Sequence, residues 1–522
     1  MTITAYGTGA YRTAKPNEFV STRSQFDDLQ RQLVTKKRST SYGDLGIDRR
    51  VSLDLNAKIS SIDSWLSGIQ LSDVNIKLAS QAVENFAKLT GESRQDTLSS
   101  SYVATAGGRS GPQVLAEEKF KQTLDQLNIS VNGRYLFSGQ TSDVRPTASF
   151  DEIINGDGAG KAGLKQLIDE RRQADLGDGL GRLTTGMSGA TTVTVADGNH
   201  LYGFKIDSAT ASTSALAVTV NSGTPADIAV DVAAQPQPGD TLRIRLDLPD
   251  GTQEEVVLTA RAAGSGGMNA DSFEIGATAA DTATQLKAAI DAALGREART
   301  TLSAASSQVA ARDFFSGSPN NPPPRVPGPP FATVTAPPTK VGASNTTVIW
   351  YRGDDGIPPL ASNDPALDTR TISPFPSARD TANVQVDQGQ LVGVGARANE
   401  QAFQTGLAQF AIMTVETYPA GDADSQDRYL AMTARVSSKL GTSTGTQQPA
   451  EILVDFGSAQ TALANAKERH EDTKSYLASA LSSVEDVTPE EVAAQIMSLQ
   501  TQLQASYQVT SMLSKLSLTN FL

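Results

Sequence analysis

The chain has 522 residues, several times the roughly 100 to 200 of a usual domain, with 19% charged, 39% apolar and only 6% aromatic side chains. Its formal charge of −13 excludes general phosphate-backbone binding, which needs a dense basic surface, so no nucleic-acid partner is expected. The nearest basic run, Lys36-Lys37-Arg38, reads as a solvated helix face, and the lack of cysteine excludes disulfides, thiolate metal sites and cysteine nucleophiles together.

The first residues, Met1 to Tyr6, show neither a basic n-region nor an apolar h-region. No stretch reaches the roughly 18 to 20 apolar residues of a membrane span, so none is predicted. From Phe19 to about Arg38, Phe26, Leu29 and Leu33 take the three-four spacing of one helix face, until Tyr42-Gly43-Asp44-Leu45-Gly46 interrupts it. A longer helix follows, with Leu55, Ile59, Ile62, Leu66, Ile69, Ile76 and Val83 on one stripe. Ala106-Gly107-Gly108 breaks it before a helix whose seam is Leu124, Leu127 and Val131. Asn132-Gly133 then supplies residue types that tolerate positive φ, and Arg134 to Phe137 reads as a strand.

Between about Arg182 and Leu302 the period changes to two, with alternation in Thr191–Val195, Leu216–Val220, Thr241–Leu248 and Glu255–Thr259. Pro249-Asp250-Gly251 predicts a hairpin turn, and one helix is expected over about Ala280–Leu294. The prolines from Pro319 to Pro338 predict a stiff extended linker without helix. Helices return near Gly395. From Phe456 a regular seam runs through Ala459, Leu463, Ala466, His470, Thr473, Leu477, Ala480, Val484 and Val487, the spacing of a coiled coil. Thr488-Pro489-Glu490-Glu491 starts the last helix as a capping box with proline at its first position. On that helix Val492, Ile496, Leu499, Leu503, Tyr507, Thr510 and Leu513 form an apolar stripe, and Lys515 is the one charged side chain after Glu491. A solvated lone helix normally carries more charge, so more than one face is expected to meet protein.

Candidate chemistry is sparse. His470 lies on the seam and reads as a packing residue, while His200 follows a turn and is expected to be exposed. Gly156 to Lys161 is one residue short of a phosphate loop, and Ala162 cannot ligate magnesium. Asp422, Asp424 and Asp427 lack the mid-loop glycine and terminal glutamate of a calcium loop. Gly353-Asp354-Asp355-Gly356 reads as a hairpin tip. No catalytic residue, cofactor or metal site is expected, and the chain does not read as an enzyme.

Short motifs at both ends carry a resemblance. Asn132-Gly133-Arg134-Tyr135-Leu136-Phe137-Ser138-Gly139, Leu503-Gln504-Ala505-Ser506-Tyr507 and the ending Leu516-Ser517-Leu518-Thr519-Asn520-Phe521-Leu522 resemble stretches of the bacterial flagellin family. Its hook-filament junction (hook-associated) members are the most similar. Gln32 to Arg38 resembles another stretch of these proteins, with Lys37 standing where glycine is expected. The period-two stretch makes the expected fold mainly α with an inserted β-rich domain, and the resemblance implies a long antiparallel coiled-coil-like rod formed by both chain ends. It implies assembly helices at 1–45 and 488–522 and rod segments at 46–181 and 346–487. The insert at 182–302 and a Pro-rich linker at 303–345 lie outside it. Phe26, Leu29, Leu33, Val492, Ile496, Leu499, Leu503, Tyr507 and Leu513 would be the assembly contacts, and Leu463, His470, Leu477 and Val484 the rod seam. The implied function is a secreted structural subunit of the extracellular flagellum, serving motility. Its implied partners are further copies, neighbouring hook-associated and flagellin subunits, the type III export apparatus and an export chaperone. The alternatives are a filament flagellin with a surface-exposed β domain and a secreted binding protein or adhesin.

Overall fold

A computed structural model describes the backbone of residues 9–99, 101–103, 105–265, 271–340, 346–358, 377–442 and 445–519, with side chains from 20 to 512 inside those ranges. The chain is mainly helical, with long helices at both ends and an inserted β-sheet region between them. Among the described residues no helix is long and apolar enough to cross a membrane. Two compact units divide it: residues 1–71, 385–391 and 461–522 form the first, and 72–384 with 392–460 the second.

In the first unit, α1 (Gly9–Thr35) lies beside α11 (Pro489–Thr519). A 3-10 turn, Tyr42–Asp48, leads from α1 into α2 (Arg49–Ser99). The first part of α2 runs antiparallel to the last part of α10 (Pro449–Glu485), as three contacts show. Ser52 donates to Glu485, Lys474 pairs with Asp63 at 2.6 Å, and the Trp65 and His470 rings lie 5.1 Å apart. The three-four stripe of α2 turns inward, with Ile62 and Ile69 buried.

The second unit holds the other helices and the β region. Helices α3 (Gly111–Leu127), α4 (Phe150–Asn155), α5 (Leu164–Leu176), α7 (Thr301–Phe315), α8 (Gln401–Val415) and α9 (Ser425–Lys439) surround an aromatic core. Phe403 meets Phe86 at 4.9 Å and Phe137 at 5.7 Å, and Phe315 meets Phe120 at 6.1 Å and Trp350 at 5.3 Å. A short hairpin, β1 (Ser130–Val131) with β2 (Arg134–Tyr135), turns through Asn132 and Gly133, both at positive φ.

The β region contains two four-stranded sheets. β3 (Thr184–Ser188), β4 (Thr192–Ala196), β7 (Asp227–Val232) and β6 (Leu216–Asn221) form one in that order, all antiparallel. The other runs β10 (Ser272–Glu274), β9 (Gln253–Arg261), β8 (Thr241–Asp247), β5 (Lys205–Ala211), antiparallel except for β10 beside β9. Period-two alternation buries Val193 and Val195, Ile228 and Val230, and Leu242, Ile244 and Leu246. They meet Ala283, Leu286, Ile290 and Leu294 of α6 (Ala279–Arg299) in one core. A separate hairpin, β11 (Asn383–Asp387) with β12 (Gln390–Gly393), falls largely in the first unit, which includes residues 385–391.

Four expectations are corrected here. The stretch 303–345 is not a free linker: α7 fills 301–315, almost wholly buried, and Leu302 and Ala305 complete the core of the β region. The proline segment after it is a docked strap. Extended backbone leaves carbonyls unpaired, and Arg182 donates to Val334 O at 2.6 Å and Tyr202 to Ala336 O at 2.8 Å, while Arg325 grips Glu170 with two nitrogens. Asp355 is no hairpin tip: it is 2% exposed and accepts from Ser318, from the Asn320 backbone and side chain, and from the Ile357 amide. His200 is half-buried rather than exposed, and its Nδ1 is buried without a hydrogen bond.

Gly406, in the middle of α8, explains a close helix approach. A Cβ there would lie 2.8 Å from Phe86 Cε2 and 3.0 Å from Thr90 Cγ2. Gly to Ala in a helix interior normally gains about 1 kcal/mol, but overpacking a full core costs about 1–3 kcal/mol. The substitution Gly406→Ala is therefore expected to lower stability, the reverse of the propensity rule, as chemical denaturation of the purified chain would measure.

Candidate assembly interface

The terminal helices meet at a short backbone bridge. Helix α1 stops at Lys36, whose φ of 57° is left-handed and whose amide donates to Gln32 O at 2.7 Å. The glycine-favouring position is thus Lys36 and not Lys37, and the basic run is a helix stop rather than a helix face. Immediately after it, Arg38 N donates to Glu485 O at 2.7 Å and Val487 N donates to Lys36 O at 3.1 Å. Lys37 and Asp486 form the antiparallel pair between them.

Side chains reinforce this clasp. Lys37 Nζ lies 2.7 Å from Asp486 and 3.2 Å from Glu485, and Glu485 also accepts from Ser52 and Asn56 of α2. The hydrogen bond to Asp486 holds the Lys37 ammonium above its ordinary value. The Ser52 hydroxyl, with Lys37, keeps Glu485 below the usual carboxylate range, and Lys37 does the same for Asp486, helped by Ser482. Nothing local in the sequence marks this cluster, because its two halves are 448 residues apart.

From the clasp, α1 and α11 run side by side. On α1, Phe26 and Leu29 are half-buried and Leu33 is 40% exposed. Helix α11 starts at Thr488, whose hydroxyl accepts from the Glu491 amide at 3.2 Å. Val492 and Leu499 are buried, Ile496 and Leu503 half-buried, and Tyr507 is 58% exposed. The side chain of Leu513 lies outside the described residues. Between Val492 and Ser514 α11 carries no charged residue. Yet Met497, Tyr507, Val509 and Met512 are all more than half exposed. Along α10, Leu463 and His470 are buried and Leu477 and Val484 half-buried, and His470 Nε2–H donates to the Val386 carbonyl.

The other candidate sites resolve into local structure. Asp157 accepts from the Ala159 and Lys161 amides, both at 2.8 Å, so the Gly156–Lys161 loop is closed on its own carboxylate. Asp422 pairs with Arg428 and Asp424 with Arg299. Burial, with Lys205 and Arg182 nearby, pushes the His200 imidazole down. Among the described residues no group of three or more His, Asp or Glu could hold a metal ion.

Comparison with known families gives one finding. Residues 446–522, which include all of α10 and α11, match the model of the bacterial flagellin C-terminal helical region. No curated protein matches the chain. The match is a likeness of this C-terminal region to the bacterial flagellin family, and the rest of the chain lies outside it.

The clasp has a defined pH window. Glu485 and Asp486 are lowered in the folded chain, so their contribution is complete above about pH 4, their unfolded range, and is lost as pH falls through their depressed values. Lys37 is raised, so its share persists up to about pH 10.4 and is lost above that. With Lys37 about half exposed, solvent screening limits its worth to about 1 kcal/mol. Lys37→Ala at pH 7 should speed exchange of the Arg38 and Val487 amides about fivefold, measured by hydrogen exchange; wild type should approach the same rates, corrected for intrinsic pH dependence, below about pH 4.

Proposed function

We propose that this chain joins hook to filament in the bacterial flagellum, polymerising through α1 and α11. One observation carries the assembly reading: α11 has no charged residue over Val492–Ser514 and is largely exposed over Val492–Met512, in the region that matches the flagellin model. Isolated helices are marginal in water and owe their stability mainly to packing. Val492 and Leu499 are the two well-buried apolar side chains on the described part of the stripe, worth about 1.5–3 kcal/mol each. A helix of 31 residues needs more than that, and neighbouring subunits would supply it.

In this reading Phe26, Leu29, Leu33, Ile496, Leu503, Tyr507 and Leu513 join Val492 and Leu499 as assembly contacts. Helices α2 and α10 form the coiled-coil-like rod on Leu463, His470, Leu477 and Val484; the antiparallel contacts from Ser52 to Glu485 and from Asp63 to Lys474 support that pairing. The β region faces outward. Export through the type III apparatus with a chaperone, delivery to the extracellular flagellum and contact with hook-associated and flagellin subunits follow from the same reading. The junction assignment rests on the Asn132–Gly139 and Leu516–Leu522 motifs.

Two measurements test it. Immunogold labelling should show one hook-proximal band; labelling along the filament would make the chain a filament flagellin instead. The double substitution Leu499→Asp with Leu503→Asp should abolish incorporation into flagella while the main thermal transition stays within a few degrees of wild type. Normal incorporation would show that the stripe is no assembly contact, and loss of the main transition would place it in the subunit's own core.

A further inference from the structure

The chain contains two Asn-Gly pairs, Asn132-Gly133 and Asn155-Gly156. In such a pair the glycine amide nitrogen stands one ring closure away from the asparagine side-chain carbon, with no Cβ to shield it. The structure treats the two pairs in opposite ways. We propose that Asn132 is a site of spontaneous deamidation, converting to aspartate and isoaspartate, while the fold protects Asn155.

Asn132 and Gly133 are both exposed, and their φ values of 51° and 77° make the β1–β2 connection a two-residue type I′ turn. Among the described residues the Gly133 amide, the Asn132 carbonyl and the Asn132 side chain make no hydrogen bond. The peptide between them is therefore free to flip. Type I′ and II′ turns both close a two-residue hairpin, so the flip leaves the pairs Val131 with Arg134 and Ser130 with Tyr135 in place. It swings the Gly133 nitrogen round towards the Asn132 side chain. The flipped turn suits glycine better than asparagine at its first position, so it is transient and sets the rate.

The reaction needs only water. Gly133 N–H gives its proton to solvent and the nitrogen bonds to Asn132 Cγ, and the side-chain nitrogen takes up a proton and leaves as ammonia. Water then adds at either carbonyl of the five-membered imide and opens it, leaving aspartate or isoaspartate. Aspartate tolerates the left-handed turn. Isoaspartate places an extra methylene in the main chain, which a two-residue turn does not accommodate. Either product adds one negative charge to the hairpin tip.

At the second pair the nucleophile is tied. Gly156 follows the last residue of α4, and its amide donates to Glu152 O at 3.0 Å. The backbone also packs tightly there, since a Cβ on Gly156 would lie 2.4 Å from Lys161 O. Asn155 Nδ2 lies 3.4 Å from the Asp151 carboxylate. A flip of this peptide would break the amide's hydrogen bond, so the same chemistry is held off. The inference is independent of the assembly reading.

The test ages the full chain at mildly alkaline pH, folded and in guanidinium chloride, and follows both asparagines by peptide mass spectrometry, with isoaspartate scored by methyltransferase labelling. In the folded chain Asn132 should convert at least about tenfold faster than Asn155, the factor expected from one hydrogen bond. In the unfolded chain the two should agree within about threefold. Conversion of Asn132 in the folded chain as slow as that of Asn155 would overturn the proposal. Equally fast conversion of both would overturn it too, because the fold would then select neither.

Discussion

Two segments 448 residues apart, Lys36–Arg38 and Glu485–Val487, are held together by two backbone hydrogen bonds and one lysine between two carboxylates. Everything at the chain ends depends on that closure. It sets α1 and α11 side by side, and through Ser52 and Asn56 it ties the same carboxylate to α2. Closing so long a loop is unfavourable, though the entropy grows only with the logarithm of its length. The intervening residues have cores of their own, so the clasp alone need not offset that entropy. The clasp then needs only modest strength. Partly exposed ion pairs are worth about 1 kcal/mol or less, and each buried apolar side chain of α11 outweighs them.

Elements with a strong period were legible in the sequence. The stripe from Leu55 to Val83 gave α2, alternation through Leu242, Ile244 and Leu246 gave a strand, and Thr488-Pro489 marked the start of α11, because these patterns report local geometry directly. Features made by distant partners were not. Asp355 has the neighbours of a turn residue, and its burial comes from Ser318 and Asn320 across the strap. The prolines from Pro319 onward specify extended backbone correctly, but not that Arg182, Tyr202 and Glu170 are placed to bind it. Lys36 at positive φ was hidden because lysine is not a residue type that announces a left-handed turn. Of the candidate interface, the apolar stripe of α11 was readable and the clasp that orients it was not.

The β region bears on how the chain tolerates its own insertion. After α6 the chain turns at Thr300 straight into α7, whose residues serve both the β-region core and the helical one. A buried pair, Arg435 with Asp250 at 3.0 Å, fixes the tip of the β8–β9 hairpin on α9. A buried ion pair contributes little net stability but is costly to break from one side, so it sets orientation more than strength. The region is therefore coupled to the helices of its unit at several points, unlike a domain hung on a linker.

The contrast between the two helix pairs shows where assembly would act. Between α2 and α10 the apolar residues Ile62, Ile69, Leu463 and Ala466 are buried within the single chain, and charged residues such as Lys58, Glu468 and Asp472 occupy the outer faces. That pair is complete as a solvated element. Between α1 and α11 the balance is reversed: one face of α11 is partly covered, and the remaining surface has no charge to favour water from Val492 to Ser514. Glutamine and serine can hydrogen-bond to water in the single chain and to neighbouring helices afterwards, whereas a charged side chain buried without a partner would carry a large desolvation penalty. A helix whose sequence avoids charge over more than twenty residues can thus exist in both environments. That is what the proposed assembly would require of its subunit.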